Sequence, residues 1–160
     1  MQTVSVRHNM EMAHRLFETE GKCENIHGHS WQVTLTLGGQ VRSRTGMLEG
    51  LDFALIKSTF RKYLDGTYDH RLLLNMDDPF AGHMQVGDDA LEHVELPGLQ
   101  RFVGNPTTER IAYTIGSWGR LTFPMCNFVK VDVWETAVNN ATWEGRYGPE
   151  TARALYLDTR

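Results

Sequence analysis

Trp31-Gln32-Val33-Thr34-Leu35-Thr36-Leu37, closed by Gly38-Gly39, alternates apolar and polar residues with period two. β-branched residues are frequent in it, and the glycine pair ends it. It therefore reads as a half-buried β-strand, one face packed and the other wet. Working outward, residues 2–12 read as a preceding strand. Asp52 to Leu64 changes period: Phe53, Ile56, Phe60 and Tyr63 fall on one helical face, Asp52 is a plausible cap, and Gly66 closes the segment. Residues 75–104 carry Asp-Asp-Pro, isolated glycines and several acids, which reads as a long loop or insertion. Asn105-Pro106 opens a second helix, Asn at the cap and Pro in the first turn, with Ile111, Ile115 and Trp118 as its buried stripe. Phe128 to Glu135 and Asn140 to Tyr147 read as two further strands. The expectation is an α+β domain spanning 1–160, with a four-stranded antiparallel sheet and two helices in ββααββ order. An insertion covers about 76–104 and a tail about 148–160. Four strands leave two open edges, and oligomerisation is one way to cover them.

Composition bounds the function. The 160 residues are 41% hydrophobic and 22% charged, with a formal net charge of −4. That suits one globular domain of roughly 150 residues. No apolar run approaches the roughly 18–20 residues of a membrane span, so no membrane partner is expected. Net acidity disfavours general nucleic-acid binding, which leaves a basic footprint. The opening residues do not form a secretory leader. The expected location is therefore the cytoplasm, with Cys23 and Cys126 as reduced thiols. Seven histidines against two cysteines is the unusual proportion.

Histidine is where the chemistry concentrates. In His27-Gly28-His29, residues i and i+2 of an extended chain face the same way, so both imidazoles can reach one ion. His14 ends the preceding strand, and a return through 17–26 could set it opposite the pair. Three neutral imidazoles with an open position make a catalytic zinc site; the alternative is ordinary histidines near a turn. Cys23 could be a fourth ligand, a nucleophile or base favoured by nearby positive charge, or a plain buried thiol. Asp69-His70 could be a proton relay or a helix-terminal cap. The Glu135 carboxylate could be solvated, or could bind a planar N–H donor edge. Glu109, in the first turn of the second helix, is explained by the helix dipole alone.

Taken in order, these segments resemble the 6-pyruvoyl-tetrahydropterin synthase / 6-carboxy-tetrahydropterin synthase family. The matching pieces are Ala13-His14-Arg15-Leu16, Gly21 to Ser30, Thr45-Gly46-Met47 with Asp52-Phe53, Asp69-His70-Arg71 with Leu74-Asn75, Asn105 to Glu109, and Val133-Trp134-Glu135-Thr136. The resemblance implies a T-fold, or tunnelling fold, closed into a barrel by other subunits, as a trimer or hexamer with sites at subunit interfaces. It implies Zn2+ held by His14, His27 and His29, Cys23 as the proton-abstracting thiolate, and Asp69 and His70 as a relay. It implies Glu135 as the anchor of a pterin ring, with Thr107, Thr108 and Glu109 near that pocket. The spacing Cys-x₃-His-Gly-His resembles the bacterial carboxy-type enzyme of queuosine and 7-deazaguanine synthesis. The implied reaction converts 7,8-dihydroneopterin triphosphate to 6-carboxy-5,6,7,8-tetrahydropterin, acetaldehyde and triphosphate. Pyruvoyl-type triphosphate elimination, or a non-catalytic pterin-binding zinc module, are the alternatives. Arg15, Lys22, Arg44 and Arg71 are candidates for the triphosphate by charge.

Overall fold

A computed structural model describes residues 1–83 and 99–147. Strand β1 (Gln2–His14) pairs antiparallel with β2 (His27–Gly39), and a single 3-10 turn (Lys22–Glu24) lies in the connection between them. Helix α1 (Phe53–Thr67), strand β3 (Leu72–Asn75), the short helix α2 (Pro79–His83) and strand β4 (Leu99–Phe102) follow. Helix α3 (Thr108–Thr122) and the strands β5 (Phe128–Trp134) and β6 (Asn140–Arg146) complete the order. The sheet order is β4-β3-β1-β2-β5-β6.

The four antiparallel strands and two long helices occur in the expected places. The sheet is wider than expected, because β3 and β4 add to β1 in parallel. Leu72-Leu73-Leu74 is a continuous apolar run with no alternation, and Leu73 and Leu74 are fully buried. Such a run carries no period-two signal. Part of the expected insertion is thus α2 and β4, and β3 lies just before it. His93 and the tail from 148 lie outside the described residues.

One sheet face makes the core. Val6, Met10 and Met12 of β1, Trp31, Val33, Leu35 and Leu37 of β2, and Val129, Val131 and Val133 of β5 are all buried. Their cross-strand partners put them on the same side, since Val6 faces Leu35 and Leu35 faces Val131. Helix α1 covers that face with Ile56, Phe60 and Leu64, and α3 does so with Ile111, Ala112 and Ile115. The α1 stripe is rotated from expectation. Phe53 is half exposed, Tyr63 is half-buried, and Leu64 takes the inward position. Tyr63 instead stacks on Trp118, ring centroids 4.1 Å apart.

Asp52 caps α1 as expected, its Oδ1 accepting from the Ala54 N–H at 2.7 Å. At α3 the cap is Thr107, whose Oγ1 accepts from the Arg110 N–H, and Asn105 is not the cap. The Asn105 amide is engaged elsewhere. Its Nδ2 donates to the Phe17 carbonyl and its Oδ1 accepts from the Phe17 N–H, at 2.8 and 2.9 Å. Gly116 lets α3 lie against β6, since a Cβ there would fall 2.0 Å from the Trp143 ring. No helix among the described residues is long and apolar enough to cross a membrane.

Candidate functional site

The core face of β1 and β2 runs on, past Trp31, into the histidines. Register places His14 directly opposite His27, and Met12 opposite His29. All three imidazoles share one face, at the end of the strands away from the glycines. Their ring centroids lie 4.5 Å (His14–His27), 5.0 Å (His27–His29) and 5.5 Å (His14–His29) apart. One nitrogen from each ring falls within 4.8 Å of the others. Trp31 walls the group from the core, edge-on to both His14 and His29.

Hydrogen bonds set the tautomers. His14 Nδ1 lies 2.9 Å from the Pro106 carbonyl, and His27 Nδ1 lies 2.7 Å from the Asn25 carbonyl. A carbonyl only accepts, so each Nδ1 carries the proton and each Nε2 keeps a lone pair. His14 Nε2 and His29 Nε2 are both buried and make no hydrogen bond among the described residues. Burial lowers the pKa of His14, and the neighbouring His27 and His29 act in the same direction. The Pro106 carbonyl and Glu135 act against them, and the net direction is down, toward neutral imidazole. Glu135 Oε1 lies 3.3 Å from His14 Nε2 and 3.9 Å from His29 Nε2. A lone pair facing a carboxylate oxygen is unfavourable unless a cation lies between them. Orphaned buried nitrogens, three converging imidazoles and an adjacent carboxylate make a donor set that fits a first-row transition ion.

Glu135 follows β5, and a tight turn returns the chain to β6. Its N–H donates to the Asn139 carbonyl, and Thr136 Oγ1 accepts from the Val138 and Asn139 N–H groups. Thr107, Thr108 and Glu109 start α3, directly after the carbonyl that binds His14.

Asp69 and His70 form the turn after α1. Neighbours on a strand would diverge, but His70 has φ +55° and the turn brings the two side chains together. Asp69 Oδ2 lies 2.7 Å from His70 Nδ1. Asp69 Oδ1 accepts from the Glu11 N–H at 2.8 Å, and the His70 N–H donates to the Glu11 carbonyl at 2.7 Å. Burial raises the Asp69 pKa, but the Glu11 N–H and the His70 ring outweigh it and hold the carboxyl below its ordinary 3.8. The dyad is thereby fixed to β1 upstream of His14, with the His70 ring open to solvent.

Cys23 is exposed in the 3-10 turn, and its carbonyl accepts from the Leu16 N–H at 2.9 Å. It is not one of the ligand atoms that converge with the histidines. Cys126 is a free, buried thiol whose pKa burial pushes up to about 12. His8, which carried no expectation, bonds Asp65 at 2.9 Å.

Three participants were invisible beforehand. The carbonyls of Pro106 and Asn25 are backbone groups, which every residue carries. Asp78 is an acid in a turn-like run, yet its side chain is wholly buried against Arg15.

The family model described as 6-pyruvoyl tetrahydropterin synthase matches residues 3–146. A 6-carboxy-5,6,7,8-tetrahydropterin synthase of Rickettsia typhi is 30% identical over 106 residues, 66% of this chain and 71% of that protein. Among solved structures, the 6-pyruvoyl tetrahydropterin synthase of Caenorhabditis elegans superposes with a TM-score of 0.61 at 26% identity, covering 90% of this chain and 95% of that one. An uncharacterized protein of Wolinella succinogenes gives 0.71 at 20% identity, covering 91% and 98%, which is a likeness of fold. The match across nearly all the described chain, with the T-fold beneath it, places this protein in the 6-pyruvoyl tetrahydropterin synthase family.

Proposed function

We propose that this chain is a zinc-dependent lyase acting on 7,8-dihydroneopterin triphosphate. Its products are 6-carboxy-5,6,7,8-tetrahydropterin, acetaldehyde and triphosphate, with water taken up, in the cytoplasmic route to queuosine and related 7-deazaguanines. The observation that carries it is the convergence of three imidazoles, two with buried, unbonded Nε2 atoms, beside Glu135. Curated relatives named as 6-carboxy-5,6,7,8-tetrahydropterin synthases support the choice of product.

In this reading His14, His27 and His29 hold the zinc through Nε2, and the carbonyls of Pro106 and Asn25 keep the rings in the ligating tautomer. Bound there, zinc supplies Lewis-acid polarisation of the substrate's side-chain oxygens. Cys23 takes a proton as thiolate, and His70, oriented by Asp69, returns one. Glu135 receives the N–H edge of the pterin ring, with Thr107, Thr108 and Glu109 bordering it. Orientation of the ring against the reacting side chain is its contribution.

Cys23 and His70 are both exposed on the single chain. Proton transfer is better served by a site closed to water. That supports a homo-oligomer, trimer or hexamer, in which a neighbouring chain completes each site, and β6 offers an outer strand edge for it. The synthases of the pyruvoyl type among the solved relatives favour a second reading, triphosphate elimination to 6-pyruvoyl-tetrahydropterin. Incubation of zinc-loaded protein with 7,8-dihydroneopterin triphosphate, followed by product mass, separates the two. Metal-loaded protein that binds pterin without turnover would leave the non-catalytic zinc module.

A further inference from the structure

We propose that Arg15, locked by the buried carboxylate of Asp78, is a positioning residue for the Cys23 turn and not a ligand of the substrate's phosphates. The inference rests on the proposed role of Cys23. Arg15 follows His14 directly. Its Nη1 lies 2.5 Å from Asp78 Oδ1, and its Nε donates to the Glu24 carbonyl at 2.5 Å. The two side chains are 12% and 0% exposed. The guanidinium also lies over the Phe80 ring, 4.3 Å from its centroid, with Phe17 5.6 Å away. A cation enclosed by two rings and paired with a buried acid has little left to offer a solvated triphosphate.

What the contacts join is informative. Asp78 continues the chain beyond β3, which begins just after the Asp69-His70 turn. Glu24 is the residue after Cys23, and the Cys23 carbonyl accepts from the Leu16 N–H. One guanidinium therefore ties the end of the histidine strand, the cysteine turn and the segment leading from the relay. The planar guanidinium holds the two acceptors through two rigidly placed nitrogens, Nε and Nη1, whereas a lysine has one nitrogen to offer both. Asp78 Oδ1 also accepts from the Phe80 N–H, which orients the carboxylate, while its Oδ2 has no hydrogen-bond partner among the described residues. A buried acid in this state is a poor contributor to stability by itself, which is consistent with a role in geometry.

The test uses full-length, zinc-loaded Arg15→Lys and Asp78→Asn. Four quantities are read: zinc content, Leu16 amide exchange, iodoacetamide labelling of Cys23 resolved by peptide mass, and kcat and KM for dihydroneopterin triphosphate. Labelling of buried Cys126 reports any general unfolding. Both variants are expected to keep zinc and unlabelled Cys126, to exchange Leu16 and label Cys23 faster, and to lose up to about 100-fold in kcat with KM unchanged. A raised KM with kcat retained in Arg15→Lys, or wild-type exchange and labelling in both variants, overturns the proposal. If Arg15→Lys does not fold, Asp78→Asn decides alone, since its buried side chain cannot reach substrate. Turnover retained by Cys23→Ala would instead overturn the role of Cys23, and Leu16 exchange would still decide whether Arg15 fixes the turn.

Discussion

The Nδ1 of His14 sits 2.9 Å from the carbonyl oxygen of Pro106, a residue 92 positions further along the chain. That bond joins the end of β1 to the segment entering α3 and fixes which His14 nitrogen is free. Asn105 holds the same segment through its paired bonds to Phe17. Asn105→Ala is therefore expected to weaken zinc affinity about 10- to 100-fold, as loss of an outer partner does. Competition with a chromophoric chelator measures it, and unchanged affinity would mean that Pro106 keeps its place without Asn105.

Cys23 stands apart from the three converging imidazoles. Cys23→Ala should retain zinc at the wild-type ratio and lose turnover. Metal analysis and product formation on one preparation check both halves, and a fall in zinc content would make Cys23 a ligand.

Glu135 lies near two of the histidines yet is the proposed pterin anchor. Removing a charged hydrogen-bonding group costs about 1.5–3 kcal/mol. Glu135→Ala should thus weaken pterin binding by about 10- to 100-fold while zinc remains bound. Equilibrium titration with a pterin product reads the first and metal analysis the second; parallel loss of both would contradict the assignment.

The depressed pKa of Asp69 fixes the sign of a pH effect. A carboxyl held below its unfolded value contributes stability that is present above that value and lost as pH falls through the folded one. Asp69→Asn should be less stable than wild type at pH 6, and the gap in Tm should close below the ordinary value of 3.8. A gap independent of pH would assign the effect to shape and not to charge.

At Gly116 a methyl group would meet the Trp143 ring at 2.0 Å. Gly116→Ala must push Trp143 or α3 aside, at a cost of about 1–3 kcal/mol. Urea denaturation measures it. Equal or greater stability would show that β6 yields at no cost.

Period and composition were enough for the four antiparallel strands, the two long helices and the inward face of β2. Those follow from local geometry, in which side-chain direction repeats every two or 3.6 residues. The histidine spacing, read in order with the other motifs, was enough for the family. The tertiary structure decided the rest. It rotated the α1 stripe toward Leu64, because the helix must meet a sheet whose position no local pattern specifies. It made strands of Leu72–Asn75 and Leu99–Phe102, since a four-residue segment is too short to carry a period of its own and takes its state from its neighbours. It turned Asn105 from a cap into a clasp on Phe17, and Asp78 from a turn acid into the buried partner of Arg15. It chose the free nitrogens of His14 and His27 through backbone carbonyls, which have the same chemistry at every position and so leave no mark in a sequence.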